Sequence, residues 1–205
     1  MISIHKIELY APPRCWYYEQ GSKGRVTMKT VLPLLLLTCA SVQAQPRSPE
    51  LTQLLSEIHE QYELAVINKR PYSQDLPDIT KLPYFLQHID ETDTVGSIRL
   101  NAYLQGLQSA YFYSAYRQQK LGGNNWFCMR DTMALDPKRH PEFLEEMIWT
   151  VLEKTAKNDP RKFRRDNYAG SFSATLDYII GYGLQTEYPC YSPIPKSLQF
   201  NGWKY

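Results

Sequence analysis

PEFLEEMIWTVLEKTAKNDP, residues 141–160, decides the fold class. Phe143, Leu144, Met147, Ile148, Val151, Leu152 and Thr155 recur three and four residues apart. That period gathers apolar side chains onto one face of an α-helix. Glu142, Glu145 and Glu146 crowd the start and Lys154 and Lys157 the end, which suits the helix dipole. The helix begins either after Asp136-Pro137 or at Pro141, and Asn158-Asp159-Pro160 closes it.

The same period recurs on both sides. Ser48-Pro49-Glu50 offers an N-cap, a proline in the first turn and an early acid. Leu51, Leu54, Leu55, Ile58, Tyr62 and Ala65 then line one face, predicting a helix over 48–70 that Pro71 ends. Pro71, Pro77 and Pro83 mark 71–92 as an irregular connection with room for one short helical turn. A second long helix spans 94–121. Its stripe is Ile98 or Leu100, Tyr103 or Leu104, Leu107, Ala110, Tyr111 and Ser114, and Gly106 leaves room for a close neighbour. Gly122-Gly123-Asn124-Asn125 stops it. A last helix over 166–188 carries Tyr168, Phe172, Leu176, Ile179 and Gly183, with Gly181 and Gly183 weakening its final turns. The tail 191–205 reads as extended over the surface. No segment alternates as a strand would. The expected fold is all-α, a small disulfide-linked bundle of about four main helices in one domain, 45–205.

MKTVLPLLLLTCASVQAQ, residues 28–45, precedes that domain. One cation, a short apolar run and small residues ending in Val42-Gln43-Ala44 form the pattern of a secretory signal peptide. The run is far shorter than the roughly 20 residues that span a bilayer as a helix. Residues 28–44 are therefore expected to be cleaved between Ala44 and Gln45, and 1–27 read as an over-long gene start. A lipoprotein anchor at Cys39 stays open as the alternative. Export would place the mature chain in the periplasm with no stable membrane insertion.

Without the prepiece, 45–205 hold 18 Lys and Arg against 19 Asp and Glu, a formal charge of −1. Nothing in this balance suggests a nucleic-acid partner, whose backbone demands a strongly basic face, and none is expected. Cys128 and Cys190 are the two cysteines left, and in an oxidising compartment they are expected to pair. The competing reading makes Cys128 a nucleophile beside His140. His59, His88 and His140 show no metal-ligand spacing. No nucleophile elbow or phosphate loop occurs, so no enzyme, metal or cofactor is expected.

Two features suit a binding protein. Tyr111-Phe112-Tyr113-Ser114-Ala115-Tyr116 puts aromatics all round a helix, so some must face outward. Arg161-Lys162-Phe163-Arg164-Arg165 is a basic run with an aromatic inside it, able to grip an acidic partner or an anionic envelope polymer, and it reads at least as well as a solvated interhelical loop. Aromatic and Arg side chains dominate interface energetics, so Tyr113, Tyr116, Arg164 and Arg165 are the candidate partner-binding residues.

Tyr103-Leu104-Gln105-Gly106 on one helix, Phe127-Cys128 after a loop, a helix ending in Asn158-Asp159-Pro160 and a last helix ending in Tyr188-Pro189-Cys190 follow a recognisable order. In these the chain resembles the Rap/Tai family, periplasmic immunity proteins of type VI secretion systems, over about residues 100–190. Met129-Arg130-Asp131, the basic Arg161–Asn167 segment, the 48–70 helix and the tail depart from that pattern. The resemblance implies a helical, disulfide-linked and often homodimeric protein without enzymatic activity. Its partner would be a toxic protein effector such as a peptidoglycan amidase, which it blocks. A periplasmic chaperone or envelope-stress protein without one cognate partner is the second reading, and an envelope hydrolase the third.

Overall fold

A computed structural model describes residues 47–122, 126–129 and 132–200, without the side chains of 132 and 133; these lie in the unit Ala44–Tyr205. The expectations for 1–27, the signal, Cys39, Ala44, Gln45 and 201–205 lie outside the described residues. Among the described residues the fold is all-α and contains no strand, with four main helices and three short ones. The main helices are α1 (Pro49–Ile67), α3 (Val95–Leu121), α4 (Phe143–Asn158) and α7 (Leu176–Glu187). The short ones are α2 (Leu82–His88), α5 (Arg161–Arg164) and α6 (Ala169–Ser173).

α4 is the centre of the bundle. Leu144, Met147, Ile148, Val151 and Leu152 are all buried against α1 and α7. The expected glycine weakness in α7 turns out to be a fit instead. A Cβ on Gly183 would lie 2.6 Å from Met147 Sδ and 2.8 Å from Val151 Cγ2, so the missing side chain lets α7 approach α4. Gly106, expected to admit a neighbour, has nothing within 4 Å of the place its Cβ would occupy.

Local chemistry sets the helix ends. Ser48 Oγ accepts the Leu51 N–H at 3.1 Å and caps α1. At the other end Lys69 adopts a left-handed φ of 49°. Its N–H reaches the Val66 carbonyl and the Arg70 N–H the Ala65 carbonyl. That closure of the last turn ends α1 before Pro71 is reached. Thr94 and Ser97 form a reciprocal cap on α3, and Gly122 ends it at a φ of 64°. Leu100 and Leu104 take the core positions of α3, while Ile98 is 59 % exposed. Pro83 opens α2 rather than preventing a helix.

The last helix departs most from expectation. The continuous helix over 166–188 is broken into α6 and α7. Asp166, Asn167 and Tyr168 are all left-handed, with φ of 50°, 54° and 66°. Between α6 and α7, Ala174 and Thr175 leave helical geometry to pair with the Lys81 segment. Leu82 N–H donates to the Ala174 carbonyl and Leu176 N–H to the Thr80 carbonyl, both at 2.8 Å. Backbone groups that reach a distant partner no longer need the helix. Phe172, fully buried in α6, sits between Tyr62 at 4.5 Å and Tyr72 at 4.6 Å between ring centroids.

Cys128 and Cys190 form a disulfide with Cα atoms 4.8 Å apart, tying the segment after α3 to the end of α7. The Cys128 N–H also donates to the Tyr188 carbonyl at 2.8 Å. No described helix is long and apolar enough to cross a membrane.

Candidate functional site

α3 carries no acidic residue in its 27 positions, yet holds Arg99, Arg117 and Lys120, all exposed. Its aromatic stretch divides by helical geometry. Tyr111 turns inward, where its hydroxyl donates to the Asp177 carbonyl at 3.3 Å and its ring lies 5.6 Å from that of Trp126. Burial, followed by the charge of Asp177, pushes the Tyr111 phenol well above its ordinary value, so it stays a neutral donor. Phe112 is half-buried.

Tyr113 and Tyr116 turn outward, 65 % and 43 % exposed. The Phe112 ring braces both, at 5.7 Å from Tyr113 and 6.2 Å from Tyr116, and Lys120 Nζ lies 5.6 Å from the Tyr116 ring centroid. The result is a pair of braced tyrosines on a cationic helix. A protein surface with apolar and acidic groups complements it.

The basic run is not a solvated loop. It forms α5, and Phe163 is fully buried beneath it. Arg164 grips Glu57 of α1 through two hydrogen bonds, and the Tyr168 hydroxyl donates to the same carboxylate at 2.9 Å. Arg165 is exposed. The structure thus brings Tyr113 and Tyr116 together on α3, while Arg164 is committed to α1.

The competing chemistry of Cys128 disappears with its thiol, which the disulfide consumes. The His140 carbonyl accepts the Gln108 amide at 2.7 Å. His59 is solvated, its side chain 69 % exposed. Among the described residues no group of three or more His, Cys, Asp or Glu could hold a metal ion.

Sequence reasoning missed a cleft of about 290 Å³ bordered by α1, α2 and α4. Trp149 forms one wall, and the Arg47 guanidinium lies over its ring at 4.0 Å while pairing with Asp90 at 2.9 Å. The indole N–H donates to Glu145 at 3.4 Å; burial raises the Glu145 carboxyl above its usual range, and this hydrogen bond opposes the shift. Arg47 and its charge partner Asp90 both line the cleft, which ties the segment before α1 to α2 and α4. No local signal could reveal it, because Arg47, Asp90 and Trp149 are far apart in sequence.

Comparison of the chain with known protein families, with characterised proteins and with solved structures finds no match.

Proposed function

We propose that this protein is an immunity-type binding protein of the periplasm that occludes a toxic secretion effector, such as a peptidoglycan amidase. The observation that carries this reading is the outward Tyr113–Tyr116 pair on a helix with three cations and no acids. Aromatic anchors on a helix that carries cations and no acids suit recognition of an acidic surface. The Cys128–Cys190 disulfide suits an exported protein. The resemblance of residues 100–190 to the Rap/Tai immunity proteins points the same way, and Arg165, exposed just after α5, is a separate candidate contact. Export by cleavage between Ala44 and Gln45 belongs to this proposal, and N-terminal sequencing of periplasmic protein tests it.

The functional test is co-expression with a candidate toxin from a neighbouring gene, directed to the periplasm. Protected cells support the reading, and cells that die equally with and without this protein end it for that pair. The chaperone reading draws on a different observation, the exposed aliphatic residues Val66, Ile67, Val95 and Ile98. Suppression of aggregation of several unrelated client proteins by the purified chain would favour it.

A further inference from the structure

The C-terminal segment docks on α7 as a bound peptide would. Tyr178, Gly181 and Gln185 stand three and four residues apart, on one stripe of the helix. The Gln185 amide meets the tail backbone twice. Its Nε2 donates to the Leu198 carbonyl at 2.6 Å, and its Oε1 accepts the Phe200 N–H at 2.7 Å. These two bonds flank residue 199 and involve none of the tail's side chains. The Phe200 ring then enters a socket floored by Gly181 and walled by Tyr178 at 5.2 Å and Trp126 at 5.8 Å. A Cβ on Gly181 would lie 2.6 Å from Phe200 Cζ. The helix thus carries a glycine, a poorer helix former than alanine, where an aromatic ring needs the space.

We infer that this stripe of α7 is a peptide-binding site which residues 194–200 occupy in cis. Its ligand in trans is a short segment of a partner protein that forms a turn like the 3-10 turn Lys196–Leu198 of the tail and places an aromatic side chain in the socket. The pairing reads backbone and one ring, so it accepts sequences other than its own tail. The tail is suited to leave. Tyr191 is 98 % exposed, Leu198 is 42 % exposed, and Pro193 and Pro195 lie in the connection from Cys190.

A separate partner fits better than a second copy. The tail of another copy would make the same contacts as the cis tail and lose translational freedom in doing so. A partner segment is not anchored at Cys190 and can add contacts past the socket at Trp126, which is only half-buried. The inference does not require that the partner be a toxin.

The test uses the full chain and a labelled, end-blocked peptide of sequence IPKSLQF, residues 194–200. A tethered tail competes at an effective concentration near the millimolar range, so the parent chain should bind the peptide weakly. Phe200→Ala in the chain should tighten binding at least about tenfold by releasing that competition. Adding Gly181→Ala or Gln185→Ala to the Phe200→Ala chain should abolish binding while circular dichroism stays unchanged. Equal binding by the parent and Phe200→Ala chains, or unchanged binding of a peptide whose phenylalanine is replaced by alanine, would overturn the proposal. So would a concentration-dependent dimer of the parent chain that Phe200→Ala abolishes, since the groove would then belong to the tail of a second copy.

Discussion

The Arg164 guanidinium holds the Glu57 carboxylate through two parallel hydrogen bonds, Nε to Oε2 at 2.8 Å and a terminal nitrogen to Oε1 at 2.9 Å. The pair joins α5 to α1, and the Tyr168 hydroxyl completes it from the end of the left-handed turn at 166–168. Glu57 therefore anchors Tyr168, the last of the three left-handed residues, and backbone strain persists only where its surroundings over-determine it.

This geometry predicts an acid dependence. The hydrogen bonds from Arg164 hold the Glu57 carboxyl below its ordinary value near 4.5. A depressed carboxylate contributes stability that is present above 4.5 and lost as pH falls through the lower folded value. Thermal melts from pH 6 down to pH 3 should show the parent losing this increment, and Glu57→Gln lacking it throughout. The pair is partly exposed, so the difference should be about 1 kcal/mol or less. Parallel pH profiles for the two proteins would contradict the assignment.

Arg164→Ala should therefore weaken folding more than it weakens partner binding. A loss of stability near 0.5 kcal/mol in urea unfolding is expected for a partly exposed pair. Tyr113→Ala and Tyr116→Ala should do the reverse, each costing at least about 1 kcal/mol of affinity for the partner with almost no change in Tm. Calorimetric titration beside thermal melting separates the two patterns.

Two glycines should respond in opposite directions to the same substitution. Gly106→Ala adds a methyl group into open space in an exposed helix interior and should stabilise by up to about 1 kcal/mol. Gly183→Ala drives its methyl into Met147 and Val151 and should destabilise by about 1–3 kcal/mol. Chemical denaturation of the two variants checks both signs.

Removing the disulfide should cost several kcal/mol. Cys128 and Cys190 are 62 residues apart, and a cross-link of that span restricts the unfolded chain by about 4 kcal/mol in loop-entropy terms. The double variant Cys128→Ser and Cys190→Ser should unfold at lower urea with an unchanged far-ultraviolet helical spectrum. Equal stability with and without reductant would show that the bridge contributes nothing.

The helical faces were legible because they are written in near neighbours. Leu51 to Ala65 and Leu144 to Thr155 repeat every three or four residues, and Ser48 carries its cap beside the residues it caps. Thr94 caps α3, but the stripe there left Ile98 and Leu100 as rivals, and packing put Leu100 in the core. The cysteine pairing was legible from the expected export and from the number of thiols that would remain after it. The outward Tyr113 and Tyr116 were legible only as a surplus, since six consecutive positions cannot all face one core.

What only the tertiary structure decided depends on groups that are remote in sequence. The expected single helix over 166–188 shares its apolar period with α6 and α7, so periodicity could not expose the break. The break exists because the backbone at Ala174 and Leu176 finds partners at Leu82 and Thr80, more than ninety residues earlier. The meaning of each glycine was likewise absent from its neighbours. Gly106 faces open space, Gly183 faces Met147, and Gly181 faces Phe200. Propensity is set by a residue and its own turn of chain, whereas a close approach is set by whichever distant segment packs against it.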